Sequence, residues 1–227
     1  MQTLRGKTYL EDGAIRKEDL AKDGRHQTPA DEHAWHVLST DANGEVNTCL
    51  RFIDERDSKT FNRLWVSHTA MAHSPSMGWV LRKAVETRMI EAQAAQMAFG
   101  SVGGWASAPT ERRTTGPVSI ILATFGLLEL LGGCIGTATA TFRHQSATIL
   151  RKIGLTRLNW RGTELPSYFD PQYGCDMEIL EFDSGQVNPK YRETVKHFMS
   201  TLCSAPVVCR EAASFGATAS RNMAAVA

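Results

Sequence analysis

The residues whose types and spacing most clearly indicate chemistry form a polar turn, Glu111 to Gly116, directly before an apolar run. A helix that begins at such a turn offers unpaired backbone N–H groups and a partial positive charge. Its glycine lets an anion approach the backbone, and its two arginines add charged hydrogen-bond donors. The turn therefore indicates a phosphate or pyrophosphate site. It also fits a solvated loop in which Thr114 or Thr115 caps the helix.

Four histidines, His33, His36, His68 and His73, raise the question of a metal site. His33 and His36 lie three residues apart on a predicted strand, so their side chains face opposite sides. No CxxC or HExxH pattern accompanies them in the sequence, and these are the spacings typical of zinc sites. We therefore expect no metal site.

The elements that must position the polar turn follow one another closely. The glycine-rich run from Phe99 to Ala108 is typical of a strand with a bulge or a close backbone approach. Pro117 begins an apolar helix, which the pair Gly132-Gly133 ends. A β-rich segment from Cys134 to Phe142 and a helix from Gln145 to Ile153 come next. The order strand, turn, helix, strand, helix predicts an α/β layered domain.

The flanking segments predict further elements. Strands from Trp35 to Thr40 and from Val46 to Phe52 form a hairpin around an Asn-Gly turn. Ser76 is the predicted N-cap of a helix that runs to about Met97, and residues 54–75 are irregular or hold one short helix. Further predicted elements are a short strand near Arg157–Trp160, a strand from Asp176 to Phe182 and a helix from Pro189 to Leu202 capped by Asn188.

Composition limits the class of protein and its domain organisation. The 227 residues are 42% hydrophobic and 22% charged, which fits a globular chain rather than a disordered one. The formal net charge of +1 gives no basic field for nucleic acid. We expect a loosely packed arm or short helix over residues 1–30, one folded domain over 31–205 and a tail over 206–227.

The sequence also predicts a cytoplasmic protein. The first twenty residues are charged throughout, without the apolar core of a signal peptide. The most apolar run, Val118 to Leu131, is shorter than the about 20 residues that a membrane span needs. Five cysteines, an odd number without CxxC spacing, are expected to be reduced thiols.

In this context the polar turn resembles the donor loop of the GNAT superfamily of acyltransferases. Arg113-x-x-Gly116 follows a glycine-rich strand and precedes an apolar helix, although Val118 stands where the family has glycine or alanine. The resemblance implies that the loop amides hold the phosphates of coenzyme A or of the phosphopantetheine arm of an acyl carrier protein. It also implies a mixed α/β fold with a mostly antiparallel central sheet flanked by helices. In that fold the strand Val102 to Ala108 splays from its neighbour to receive the thioester.

A second segment supports the same resemblance. Arg143-x-x-Ser146-x-x-x-Leu150-x-x-x-Gly154 is similar to the family's Asn-x-x-Ala/Ser-x-x-x-Tyr-x-x-x-Gly segment. Leu150 replaces the tyrosine that often protonates the leaving thiolate. The resemblance assigns donor binding to Trp105, Ala106, Ser107, Arg112, Arg113, Thr114, Thr115, Gly116, Arg143 and Ser146.

The N-terminal hairpin narrows the resemblance to one branch. Asp31-x-x-x-Trp35, followed by Cys49-Leu50-Arg51, is similar to the acyl-homoserine lactone synthases and the N-acyl amino acid synthases. The layout from Leu165 to Glu178 resembles the second half of the N-acyl amino acid synthases. The Glu-x-Ser-Arg motif of lactone synthases is replaced here by the residues Gly104 to Ser107, so amide formation is expected rather than lactone formation.

The resemblance implies an N-acyltransferase that moves a long acyl chain from a phosphopantetheine thioester to the amine of an amino acid. We expect no permanently bound cofactor, and acyl carrier protein and acyl-CoA stay open as donors. Backbone N–H groups from Ala106 to Ala108 are expected to polarise the thioester carbonyl. His144 and Glu111 are the candidate proton acceptors, and the candidate acceptor-binding residues are Arg51, Tyr168 and Tyr173.

Other interpretations of the same residues, without a catalytic role or with a different function, stay open. His144 also fits an ordinary residue at a helix start, and Glu111 fits a solvated carboxylate. An acetyl-CoA-dependent N-acetyltransferase is the alternative within the class. Because the tyrosine is replaced at Leu150, a module that binds acyl-CoA or a partner protein without catalysis is the alternative outside it.

Overall fold

The computed structural model describes residues 1–58 and 60–208. Its strands are β1 Ala34–Thr40, β2 Val46–Asp54, β3 Ala98–Ser107, β4 Cys134–Thr141, β5 Thr156–Arg157, β6 Asn159–Trp160, β7 Thr163–Glu164, β8 Tyr168–Asp170 and β9 Cys175–Asp183. Its α-helices are α1 Gln2–Glu11, α2 Gly78–Ala94, α3 Gly116–Leu130, α4 Ser146–Ile153 and α5 Arg192–Ser204.

Seven strands form one sheet in the order β1-β2-β3-β4-β9-β5, with β8 also paired to β9. Only β3 and β4 run parallel among these pairs, and the others are antiparallel. β6 and β7 form a separate two-stranded ribbon. The predicted fold class, a mixed α/β structure with a mostly antiparallel central sheet flanked by helices, is confirmed.

The two faces of the sheet carry separate cores because side chains alternate along each strand. On β3, for example, Val102 packs into the core beneath α3, whereas Phe99 packs into the core beneath α2. Helix α3 is apolar almost all round and also contacts α5 on its outer side. A helix that is apolar on all faces must be buried in this way. The two helices therefore clamp the centre of the sheet from both sides.

Three predicted boundaries were wrong in detail. Helix α2 begins at Gly78, and the Ser74 hydroxyl accepts a bond from the N–H of Met77, so Ser76 does not cap the helix. The predicted strand near Arg157–Trp160 splits into β5 and β6 because Leu158 turns inward and is fully buried. Asn188 caps a 3₁₀ turn, Pro189–Tyr191, that precedes α5.

The N-terminal segment is more tightly packed than the sequence predicts. The expected alternatives were a loosely packed arm and a short helix. The segment forms the helix α1, which lies against β2 and β3. Arg5 on this helix is only 2% exposed. The division into residues 1–30, 31–205 and 206–227 stays a prediction, and the predicted frayed tail after Phe215 lies outside the described residues.

The described residues carry two further findings. None of their helices is long and apolar enough to cross a membrane, and no group of three or more of their His, Cys, Asp and Glu side chains could hold a metal ion. Four cysteines, Cys49, Cys134, Cys175 and Cys203, are free thiols, and Cys209 lies outside the described ranges.

Candidate functional site

The central feature of the site is a gap between β3 and β4. The last residues that these parallel strands pair are Val102 and Ala138. Beyond them β3 stays with β2 and β4 stays with β9, so the two strands diverge. A cavity of about 680 Å³ opens between them, with residues 103–107 and 139–141 in its walls. The splayed strand pair that the sequence predicts is confirmed.

A β-bulge lies on β3 where it leaves β4. Cys49 of β2 faces Ala106, but Arg51 faces Gly103. Over this interval β3 therefore contains one residue more than β2. Gly104 lies within it and has φ +65°, a conformation that glycine adopts at little cost. The bulge accounts for the glycine-rich sequence of the strand.

Backbone N–H groups alternate between the two sides of a strand. The N–H of Ala108 donates to the carbonyl oxygen of Asn47 at 2.8 Å and therefore points to β2. The N–H of Ser107 then points to the opposite side, toward the cavity. Ala108 is thus unavailable for polarising a bound carbonyl, whereas Ser107 is suitably directed.

A buried cluster of two arginines and one aspartate adjoins the bulge. Arg5 donates to both carboxylate oxygens of Asp31, and Arg51 donates to Asp31 Oδ1 at 2.9 Å. Burial opposes ionisation of Asp31, but hydrogen bonds from Arg5 and from the Thr28 backbone outweigh it and hold its pKa below the ordinary range. Burial, assisted by the Arg5 charge, lowers the pKa of His26, whose Nδ1 accepts from Arg5 Nε at 3.2 Å.

Arg51 contacts three side chains, those of Thr28, Asp31 and Trp65. Its Nη1 donates to Thr28 Oγ1 at 2.6 Å and to Asp31, and its guanidinium carbon lies 4.6 Å from the centre of the Trp65 ring. Its Nε is buried and has no hydrogen-bond partner in the described part of the chain. A Cβ placed on Gly104 would lie 3.2 Å from the Cβ of Arg51 and 3.7 Å from this Nε, so a larger residue there would crowd the Arg51 side chain.

Basic side chains surround the open ends of the diverging strands. Arg112 follows β3, Arg143 and His144 follow β4, and all three line the cavity. His144 Nε2 lies 3.1 Å from Asp12 Oδ1, and its side chain is 55% exposed. Arg143 donates to the backbone carbonyl of Asp12 and, at 3.4 Å, to that of Gly174. A neutral His144 that donates from Nε2 to the Asp12 carboxylate presents Nδ1 as its proton acceptor.

Aromatic side chains with polar ends complete the wall. Burial raises the pKa of both Tyr168 and Tyr173, so both hydroxyls stay protonated near neutral pH. Within the described ranges, Tyr168 Oη and Trp105 Nε1 are buried and lack a hydrogen-bond partner. Both residues line the cavity, which therefore offers two unused N–H or O–H donors besides Arg51.

The polar turn holds itself together at the start of α3. Thr114 Oγ1 donates to Glu111 Oε2 at 2.8 Å and accepts from the N–H of Gly116 at 3.0 Å. Asn47 Nδ2 donates to the other carboxylate oxygen of Glu111 at 3.3 Å. In this structure the Glu111 carboxylate therefore organises the turn.

No protein-family model matches the sequence, and no curated protein matches it. Solved structures match the fold. The CoA-dependent acyl-homoserine lactone synthase BjaI, with SAM and isopentyl-CoA, has a TM-score of 0.54 and 13% identity over 92% of this chain and 82% of its own.

Two further structures agree. TofI, in a ternary complex with an inhibitor and MTA, has a TM-score of 0.53 and 15% identity over 86% of each chain. The CoA-dependent acyl-homoserine lactone synthase MesI has a TM-score of 0.51 and 14% identity over 93% of this chain and 90% of its own. The chain has the fold of the acyl-homoserine lactone synthases. The resemblance drawn from the sequence is thereby confirmed at the level of the fold.

On this acyl-homoserine lactone synthase fold, most of the residues selected from the sequence come together. Those that line the cavity are Arg51, Trp105, Ala106, Ser107, Arg112, Arg143, His144, Ser146, Tyr168 and Tyr173. Those that lie in the adjoining turn, outside the lining, are Glu111, Arg113, Thr114, Thr115 and Gly116. The roles assigned to all of them stay predictions.

The contribution of α1 and of Asp12 after it to the cavity was not predicted from the sequence. Arg5, Thr8, Tyr9 and Asp12 all line it. They lie at positions i, i+3, i+4 and i+7, the spacing of one helix face. The signal was present, but a face composed mostly of polar residues did not suggest a buried helix. His68 is a further lining residue that had been considered only as a metal ligand.

Proposed function

We propose that this protein is an N-acyltransferase that moves an acyl group from a phosphopantetheine thioester to the amine of an amino acid. The observation that carries the proposal is the cavity between β3 and β4, which opens where the parallel pairing of these two strands ends. A thioester arm placed there can bond to backbone groups that β3 and β4 no longer share with each other.

The donor enters from the end where the strands lie furthest apart. Arg112, Arg143 and His144 surround this end, and α3 begins beside it. Cationic side chains of this kind suit a phosphate group. Both acyl-CoA and acyl carrier protein present a phosphopantetheine phosphate, so this site accommodates either donor.

Aminolysis needs a polarised carbonyl and a neutral amine. In the proposed step the amine nitrogen attacks the thioester carbonyl carbon, the C–S bond breaks and the thiolate leaves with the electron pair. The N–H of Ser107 is directed to hold the carbonyl oxygen as negative charge develops. Tyr168 keeps its proton near neutral pH and can donate a hydrogen bond to the leaving sulfur, the task of the tyrosine that Leu150 replaces.

The amine must also lose a proton, and His144 is the better of the two candidate bases. Asp12 holds one nitrogen of its ring and leaves the other available, as in other carboxylate–histidine pairs. Glu111 is occupied by Thr114 and Asn47 and does not line the cavity. His144 therefore accepts the proton, directly or through one water.

Two features of the comparison structures and of the cavity support a long acyl group. The similar structure of BjaI was solved with isopentyl-CoA, whose five-carbon group is longer than an acetyl group. In the present chain the walls of the cavity include Gly103, Ala106, Ala138 and Ala140, whose small side chains leave space between the strands.

We also propose the cytoplasmic location that the sequence predicts.

The test is a product assay. Purified protein is incubated with acyl-CoA and acyl carrier protein donors of several chain lengths and with the twenty common L-amino acids, and products are identified by mass spectrometry. N-acyl amino acids formed together with free thiol support the proposal. N-acetyl products from acetyl-CoA alone indicate the short-chain alternative, and a bound but unreacted acyl thioester indicates the non-catalytic module.

A further inference from the structure

The guanidinium of Arg51 has one edge that the protein does not use. Both of its hydrogen bonds leave from Nη1, to Thr28 and to Asp31. Arg51 is 3% exposed, and its Nε lacks a partner in the part of the chain that the structure describes. A buried charged donor is normally satisfied. The edge formed by Nε and Nη2 is therefore suited to a ligand that completes its hydrogen bonds.

The charge of the cluster also favours an anionic ligand. Two guanidiniums, those of Arg5 and Arg51, share the single carboxylate of Asp31. Arg5 uses all three of its nitrogens, on Asp31 and on His26. Because His26 is neutral at pH 7, the unmatched positive charge resides on Arg51.

Two other buried carboxylates in this region are satisfied by donors of their own. Glu55 accepts from the hydroxyl of Ser101 and from the backbone N–H of Trp65. Asp170 accepts from the backbone N–H of Gln172 at 2.9 Å. Neither makes a hydrogen bond to Arg51 in the described residues, so neither supplies the missing acceptor.

The position of Arg51 relates this charge to the reaction. It faces Gly103 in the β2–β3 pairing, directly beyond Val102, where β3 and β4 separate. The phosphate-binding end lies at Ser107 and beyond, roughly 13 Å along the strand at about 3.3 Å per residue. Arg51 therefore lies at the inner end of the gap, and the donor phosphate lies at the outer end.

We propose that the free edge of Arg51 binds the carboxylate of the acceptor, so that the acceptor is an amine recognised by its carboxylate. This inference rests on the proposed acyl transfer. Two parallel N–H groups of a guanidinium match the two oxygens of a carboxylate, a pairing that a neutral carbonyl cannot complete. Arg51 lines the cavity, and glycine at position 104 keeps a side chain from crowding it.

The experiment compares one amino acid with the amine that remains after removal of its carboxylate. The acceptor that gives the most product with the wild-type protein is paired with its decarboxylated amine, at one fixed acyl donor. The wild-type protein should prefer the amino acid by about 10- to 100-fold in kcat/KM, the scale of a hydrogen bond to a charged group.

The variant Arg51→Lys keeps the positive charge near Asp31 but removes the edge formed by Nε and Nη2. It should raise KM for the amino acid by about 10- to 100-fold and change kcat/KM for the amine by less than about threefold. Arg56→Lys is the matched control, because Arg56 pairs with Asp54 on an exposed surface, and it should change neither value.

Equal loss on both acceptors in Arg51→Lys would overturn the inference, as would equal use of both acceptors by the wild-type protein. The second comparison needs no variant, so it decides the matter even where Arg51→Lys does not fold. Failure of the wild-type protein to acylate any amine contradicts the proposed function instead, which keeps the two failures distinguishable.

Discussion

His144 lies at the mouth of the cavity in a conformation that constrains how its role can be tested. Its φ is 57°, in the left-handed region, and Gln145 after it has φ 60°. Most residues are strained there, whereas asparagine tolerates the region better. The ring is fixed by Asp12 rather than by its own backbone. A useful substitution must therefore remove the imidazole and preserve the turn.

We predict that His144→Asn lowers kcat by about 100-fold, the usual contribution of a general base. Its melting temperature should stay close to that of the wild-type protein because asparagine fits the left-handed turn. Steady-state rates of thiol release, together with thermal unfolding, measure both. Unchanged kcat in a folded His144→Asn protein would remove His144 from the mechanism.

At the scale of elements, the point where β3 and β4 separate depends on two facing glycines. A Cβ on Gly136 of β4 would overlap the carbonyl oxygen of Gly100 on β3. By contrast, a Cβ on Gly103 would meet nothing within 4 Å. The paired part of the strands is therefore tightly packed, and the splayed part is open.

We predict that Gly136→Ala destabilises the protein by about 1–3 kcal/mol, the usual cost of adding atoms to a well-packed interior. Gly103→Ala is the matched substitution, three residues after Gly100 in the open part of β3, and should change the free energy of unfolding by less than about 0.5 kcal/mol. Urea unfolding followed by circular dichroism compares them. Similar stability of both variants would contradict the described packing.

The elements themselves were largely predictable, because each carries a local signal. The Asn-Gly turn identified the β1–β2 hairpin, and the glycines of β3 indicated its bulge. The start of α2 was missed because Ser74 and Ser76 both precede the helix, and only tertiary structure selects between them. The cavity wall formed by α1 was missed because Arg5 is buried by a partner, Asp31, that lies 26 residues away.

The site was predictable where it is local in sequence and unpredictable where it is not. The residues that line the cavity from β3 and the start of α4 follow from motifs. The pairing of Asp12 with His144 joins residues 132 positions apart, and no local pattern indicates it. Glu111 was selected as a base because it is close to the loop in sequence, yet its contacts give it a role in holding the loop.

At the scale of the whole molecule, two partly buried histidines, His26 and His36, make the stability of the protein depend on pH. The pKa of His26 is lowered from 6.5 by burial and by Arg5, and the pKa of His36 is lowered mainly by burial. The unfolded chain therefore binds more protons than the folded chain as pH falls below 6.5. Both histidines make the protein less stable as the solution becomes more acidic.

We predict that His26→Asn reduces this loss of stability between pH 7.5 and pH 5.5. Asparagine can still accept a hydrogen bond from Arg5 but does not titrate. The slope of unfolding free energy against pH should fall by up to about 1.4 kcal/mol per pH unit, the limit for one proton. Urea midpoints measured at several pH values provide the slope, and identical slopes in the two proteins would refute the assignment.

We propose that the molecule as a whole brings a thioester and an amine together in its cavity. The most direct test measures, in one reaction, the free thiol released and the N-acyl amino acid formed from a long-chain acyl donor. The account predicts equal amounts of the two products, and no thiol release above background when the amino acid is omitted. Thiol release without amide product, or a thioester that stays bound and intact in the presence of every amino acid, would contradict it.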